Sequence, residues 1–176
     1  MRWPRRGPRR GTGAPPSRRK NAGDSIGVGA CDYAGDTGAD YDGCVASGDA
    51  DGGSRVLLPY LRARGIDSLD ALVISHSDQD HSGGARSLWG GVRIGWLSSS
   101  LPSAHPLLSR SPPHVECRAG QTWEWDGVRF DVLHPGAEAY AGRQSLSPNA
   151  ISCVLKVSAM SKGHDTPRSV LLTARS

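Results

Sequence analysis

The chain has 176 residues, enough for one domain with a single hydrophobic core, and its 23 glycines and 12 prolines favour a loop-rich α/β protein over a helical bundle. The formal charge of +4 is misleading, because eight of the 21 basic residues lie in the first 20 positions and the remainder has 13 basic against 17 acidic residues. Such an acidic body excludes the broad positive face of a dedicated nucleic-acid-binding domain, and apolar runs of no more than about six residues predict no transmembrane helix.

Residues 1–45 are rich in Gly, Arg, Ala and Asp, and they show neither helical nor strand periodicity. A segment of this composition buries too little apolar surface to offset the entropy that is lost on ordering. We therefore expect residues 1–45 to be disordered.

The first structured elements are predicted between residues 54 and 89. Leu57 and Leu61 lie four residues apart and Gly65 follows as a C-terminal cap, so a helix is predicted, with Pro59 in its first turn or at a kink. Residues 71–74 form an apolar run with two β-branched members, which predicts a strand buried on both faces. A short helix is expected near residues 85–89.

Further strands are predicted in the second half of the chain. Residues 92–97 are predicted to form a strand, and the Pro-rich stretch 101–114 a surface connection. Asp126-Gly127 separates two segments with alternating apolar residues, which predicts a β-hairpin. Residues 151–157 alternate in the same way, and residues 169–173 supply one more strand.

The candidate site follows the strand predicted at 71–74, where His76, Asp78, Asp80 and His81 place four possible metal ligands within six residues. If this loop is extended, residues 76 and 78 point the same way while Asp80 and His81 diverge, so the four could serve two neighbouring cations. The alternative is a solvated polar turn, because Asp and Ser favour turns. The density of ligands, with a strand before and two glycines after, favours a metal site.

The segment LVISHSDQDHSGG resembles the HxHxDH signature of the metallo-β-lactamase fold, in the HxDxDHxGG form of the C-terminal hydrolase domain of ComEC-type competence proteins. The resemblance covers residues 46–173 and implies an α/β fold, an αββα sandwich. It implies that His76, Asp80 and His81 bind divalent metal, Zn or Mn, with up to two ions in an intact domain, and that Asp80 also holds or deprotonates the attacking water. Asp78 stands where most members of the fold have a second histidine, and a carboxylate there makes the site more tolerant of Mn²⁺ or Mg²⁺.

Three further residues bear on this site. His134 follows a predicted strand and is a possible additional ligand, although a histidine before proline is more often an exposed loop residue. Cys117 and Cys153 are expected to be small buried residues and not thiolate ligands.

The resemblance weakens at both ends. Residues 1–45 lack the strand resembling DVGQGDA with which this family usually opens, and residues 174–176 stand where a metal-bridging carboxylate is expected. We therefore expect an incomplete sandwich with a truncated tail and impaired activity, and we hypothesise that both ends are read out of frame. Sequencing the flanking DNA tests this, since another frame should then encode the missing segments. A genuine basic tail that binds phosphate is the alternative.

The resemblance implies a fragment of a metal-dependent hydrolase, a phosphodiesterase or nuclease linked to DNA uptake, with DNA as partner. The parent family lies in the bacterial cell membrane, but this chain gives no localisation of its own. The same fold also carries lactonases, thioester hydrolases and β-lactamases, so the fold alone does not fix the substrate. A catalytically inactive remnant or binding module of the same fold is the alternative, and whether this chain is an enzyme stays open.

Overall fold

The computed structural model describes residues 51–125, 127–141, 146–160 and 167–172. The expectations for residues 1–45 and 174–176 concern positions outside these ranges. Within them, no helix is both long and apolar enough to cross a bilayer. The helices are α1 (Leu58–Ala63), α2 (Gln79–Ser82), α3 (Ala85–Gly91) and α4 (Ala137–Ala141), with a π-helical turn at Gly53–Leu57 and 3-10 turns at Pro106–Arg110 and Asn149–Ile151. The strands are β1 (Ser68–Ile74), β2 (Arg93–Ser99), β3 (His114–Glu116), β4 (Thr122–Trp125), β5 (Val128–His134), β6 (Val154–Met160) and β7 (Pro167–Leu172).

The strands form two sheets of different type. The first is parallel, in the order β1-β2-β3, and the second is antiparallel, in the order β4-β5-β6-β7. The predicted hairpin is confirmed, since Trp125 pairs with Val128 and Gly127 has φ +76°, a conformation that favours glycine. The other predicted strands form with shifted ends, and β3 is a strand that the sequence did not predict.

The parallel sheet is covered on both faces. Leu72 and Ile74 of β1 belong to a core that includes α1 and α3, while Val73 packs against the core of the second sheet. This confirms the prediction of a strand buried on both faces. The described residues therefore form helices, a parallel sheet and an antiparallel sheet in that order, which correspond to the first three layers of an αββα sandwich. On the outer side of the second sheet, Leu133 and Leu171 are exposed.

Helix α1 ends as its sequence predicts. Gly65 has φ +68°, its N–H donates to the carbonyl of Arg62 (3.0 Å), and the N–H of Ile66 donates to the carbonyl of Leu61 (2.8 Å). These two bonds form a Schellman motif, which satisfies carbonyls that the helix end leaves unpaired. Pro59 lies in the first turn of α1, directly after the π-helical turn Gly53–Leu57.

Two glycines allow the π-helical turn before α1 to pack closely on the segment that follows the candidate site. A Cβ atom on Gly53 would lie 2.1 Å from the carbonyl oxygen of Gly84, and one on Gly84 would lie 2.7 Å from the nitrogen of Gly53. Asp51 fixes the same junction, because its carboxylate accepts from the N–H of Ser54 (2.8 Å) and from the hydroxyl of Ser87 on α3 (2.6 Å). Gly84, the second glycine after the HSDQDH motif, is therefore required by backbone packing.

Candidate metal centre

The motif residues lie at the carboxyl end of the parallel sheet, between β1 and α2. The strands are parallel, so the segments that follow β1 and β2 meet at the same edge, and the hydroxyl of Ser100 donates to the carbonyl of Ser75 (2.6 Å). The N–H of Cys153, which precedes β6, donates to the same carbonyl (2.8 Å). The loop that carries His76 is thus bonded to both sheets, at the edge where ligands usually bind in parallel α/β folds.

His76 is the buried residue of the motif, with 1% of its surface exposed. Its Nδ1 lies 3.1 Å from the hydroxyl of Ser75 and 3.2 Å from that of Ser152. Its Nε2 is buried and has no hydrogen-bond partner among the described residues, although Oδ2 of Asp78 lies 3.3 Å away without hydrogen-bond alignment. A buried imidazole nitrogen of this kind is normally hydrogen-bonded or bound to a metal.

Electrostatics favour the neutral form of His76. Burial lowers its pKa, the neighbouring His81 lowers it further, and Asp78 and Asp80 oppose both effects. A lowered pKa keeps this imidazole neutral near pH 7, which is the form that binds metals.

His81 lies beside His76, with the ring centroids 4.1 Å apart and the planes tilted by 38°. The chain becomes helical at Gln79, so the extended loop in which Asp80 and His81 would diverge does not form. Nε2 of His81 lies 3.2 Å from Oδ2 of Asp80, and its Nδ1 lies 3.5 Å from the hydroxyl of Ser75. The side chains of Asp78 and Asp80 are 40% and 53% exposed, so both carboxylates face solvent beside the two imidazoles.

His134 also lies near this cluster and is not a loop residue. It is the last residue of β5, and its Nδ1 lies 2.8 Å from the carbonyl oxygen of Ser152, whose hydroxyl contacts His76. A carbonyl only accepts, so His134 donates from Nδ1. No described contact joins His134 to the four motif residues directly, and its role as a ligand stays a prediction.

Sequence reasoning missed the serines and the disulfide that support the site. Ser75 and Ser152 carry no signal in the sequence, because serine is common in loops. Cys117 and Cys153 are buried as predicted, but they form a disulfide, with Cα atoms 5.9 Å apart. This bond joins the segment after β3 to the segment before β6 and so links the two sheets.

Comparison with known proteins identifies the family. A family model described as "Metallo-beta-lactamase superfamily" matches residues 37–144, more than half of the chain. The chain belongs to the metallo-β-lactamase superfamily. This metallo-β-lactamase domain also resembles known bacterial competence proteins in sequence. It is 36% identical over 101 residues to competence protein ComA of Neisseria gonorrhoeae, a match that covers 57% of this chain and 13% of that protein.

Two more relatives agree with this resemblance. Recombination protein 2 of Haemophilus influenzae is 32% identical over 126 residues, which cover 66% of this chain and 13% of that protein. ComE operon protein 3 of Bacillus subtilis is 39% identical over 106 residues, which cover 54% of this chain and 13% of that protein. The resemblance of this metallo-β-lactamase domain to ComEC-type competence proteins is confirmed, and the chain matches about an eighth of their length.

Proteins of the metallo-β-lactamase superfamily usually bind divalent metals, and the donor set here fits such ions. A tetrahedral ion with ligands at about 2.1 Å holds any two of them about 3.4 Å apart. The His76–Asp78 and His81–Asp80 separations of 3.3 Å and 3.2 Å are close to that distance. In the described ranges no three His, Cys, Asp or Glu side chains converge as one metal-binding group, and the four motif residues form two adjacent His–Asp pairs.

Proposed function

We propose that this domain is a divalent-metal-dependent phosphodiesterase that cleaves DNA during uptake, with His76, Asp78, Asp80 and His81 as its metal ligands. The observation that carries the proposal is the buried Nε2 of His76, which has no hydrogen-bond partner among the described residues and lies 3.3 Å from the carboxylate of Asp78. In the same way, Nε2 of His81 lies 3.2 Å from the carboxylate of Asp80. We further propose that the domain spans residues 46–173.

Divalent cations at this site would supply an activated water and neutralise charge that develops on a phosphodiester. The four motif residues have separate roles around these cations. His76 and His81 bind through Nε2, and Asp78 adds an oxygen ligand that extends the range of ions from Zn²⁺ toward Mn²⁺. Asp80, which is half exposed and contacts His81, binds metal and accepts the proton of the attacking water.

The choice of DNA as substrate is supported by the relatives and by charge. Of the relatives described above, one is named a competence protein, one a recombination protein and one a ComE operon protein. Outside the first 20 residues the chain has 13 basic and 17 acidic residues, so its protein surface has no excess of positive charge to attract phosphate. Attraction of the DNA backbone must then come from the bound cations or from the basic N-terminal residues. In this proposal the domain works as part of a longer protein of the bacterial cell membrane.

The test uses the full chain, purified and then loaded with Zn²⁺ or Mn²⁺. Elemental analysis should find one to two equivalents of metal after dialysis, and a labelled single-stranded oligonucleotide should be cut. His81→Ala should lower cleavage by at least about 100-fold, because it removes a ligand from the centre. His105→Asn is the matched control: His105 accepts from the N–H of Leu107 (3.3 Å) away from the motif, and asparagine keeps an acceptor there.

Two outcomes would overturn the proposal. Cleavage that survives in His81→Ala at the wild-type rate would show that the activity does not arise at this site. A folded wild-type chain that retains no metal after loading would favour the alternative, a catalytically inactive remnant or binding module of the same fold.

A further inference from the structure

Ser152 lies between two histidines that belong to different parts of the fold. Its hydroxyl lies 3.2 Å from Nδ1 of His76 in the motif loop, and its carbonyl oxygen lies 2.8 Å from Nδ1 of His134 at the end of β5. Ser152 is 5% exposed, so water does not compete freely for either contact. One residue thus contacts the Nδ1 atoms of both imidazoles.

Such contacts determine which ring nitrogen is available to a ligand. The carbonyl of Ser152 can only accept, so Nδ1 of His134 carries a proton, and in the neutral ring Nε2 is then the nitrogen with a lone pair for a ligand. The hydroxyl of Ser152 can accept a hydrogen bond from Nδ1 of His76 in the same way, and Nε2 of the neutral His76 ring is then unprotonated as well. An imidazole that binds a metal through one nitrogen usually donates from the other to a fixed acceptor, which sets its orientation.

We propose that Ser152 is a positioning residue of the metal centre, which holds His76 and His134 with Nδ1 protonated and Nε2 available. This inference rests on the proposed function, because it assumes that the centre binds metal. It assigns a role to a residue outside the HSDQDH motif, and it brings His134 into the arrangement through the backbone of Ser152.

Ser152 can act in this way because its position is fixed on both sides. Its N–H donates to the carbonyl of Asn149 (3.1 Å), and the N–H of Cys153 donates to the carbonyl of Ser75 (2.8 Å). Cys153 is also joined to Cys117 by the disulfide, and Sγ of Cys117 lies 3.8 Å from the carbonyl oxygen of His134. The Ser152 backbone is therefore held against both the motif loop and the end of β5.

Ser75 shares part of this role, and the experiment has to separate the two serines. The hydroxyl of Ser75 lies 3.1 Å from Nδ1 of His76 and 3.5 Å from Nδ1 of His81. The variants are therefore Ser152→Ala, Ser75→Ala and the double variant. Ser158→Ala is the matched control, since Ser158 lies on β6, the strand that begins just after Ser152. Among the described residues, its exposed hydroxyl forms a hydrogen bond only with the hydroxyl of Ser169 (2.8 Å).

Two measurements test the proposal in the full chain. The Kd for Zn²⁺, measured by competition with a chromophoric chelator, should rise about 10- to 100-fold in Ser152→Ala, rise further in the double variant, and stay unchanged in Ser158→Ala. Long-range ¹H–¹⁵N spectra of the metal-free protein should show His76 and His134 with Nδ1 protonated. The His76 nitrogen shifts should change in Ser152→Ala, and those of His134 should persist, because the backbone carbonyl remains.

The results separate this inference from the proposed function. Unchanged Kd and unchanged His76 shifts in a folded Ser152→Ala variant would overturn the role of Ser152, even if the wild-type chain binds metal and cleaves DNA. If the wild-type chain binds no metal, the proposed function fails, and the metal-free spectra still decide whether Ser152 sets both imidazoles. If Ser152→Ala does not fold, the wild-type spectrum decides: His134 protonated on Nε2 would contradict the proposal.

Discussion

The disulfide between Cys117 and Cys153 should supply a large part of the stability of this domain. The two cysteines are 36 residues apart, and closing a loop of that length in the unfolded chain removes entropy worth about 4 kcal/mol at 25 °C in the chain-entropy model. Both residues are buried, so their replacement by alanine adds no unpaired polar group to the core. We expect the double alanine variant at these positions to lose about 4 kcal/mol of unfolding free energy.

The assay is urea unfolding of the full chain, with and without a reductant. The wild-type chain should lose stability on reduction and approach the stability of the reduced double variant. Alanine at both Cys31 and Cys44 is the control, since that variant should keep the response to reduction. A wild-type urea midpoint that reduction leaves unchanged would refute the stabilising role of this disulfide. A non-reducing peptide digest without a Cys117–Cys153 linkage would refute it as well.

Two further substitutions test the packing. Gly84→Ala should lower the unfolding free energy by about 1–3 kcal/mol in urea unfolding, because its Cβ would lie 2.7 Å from the nitrogen of Gly53. Gly90→Ala, with open space at its Cβ, should be neutral or stabilising. Equal effects of the two substitutions would contradict the close approach of Gly84 to Gly53. Leu97→Ala should cost about 2–5 kcal/mol because Leu97 is fully buried, while Leu133→Ala, at a 49% exposed position, should change stability by less than about 0.5 kcal/mol. A loss at Leu133 equal to that at Leu97 would show that the outer side of the second sheet is covered in solution.

Local sequence signals predicted the parts of the fold that depend on neighbouring residues. The cap at Gly65 and the hairpin turn at Gly127 were predicted because each needs a conformation that glycine adopts easily, and both have positive φ. The motif was predicted to bring its ligands together, and His76 and His81 do lie side by side. That these residues bind a metal stays a prediction.

The features that the sequence did not predict depend on contacts between distant segments. Strand β3 lies after a Pro-rich stretch without alternation and forms because Ser98 and Ser99 of β2 offer a parallel edge to Val115 and Glu116. The pairing of Cys117 with Cys153 depends on how the two sheets pack, and spacing along the chain does not reveal that packing. Ser152 was missed for the same reason, since only the folded chain brings it to His76.

The most direct test of the metal centre is the anomalous scattering of a zinc-loaded crystal of the full chain, measured on both sides of the zinc absorption edge. We predict an anomalous peak about 2.1 Å from Nε2 of His76, with Asp78 or His81 as a second ligand. Density that shows the motif side chains in place, but no anomalous peak beside them, would contradict the assignment of a metal centre to this motif.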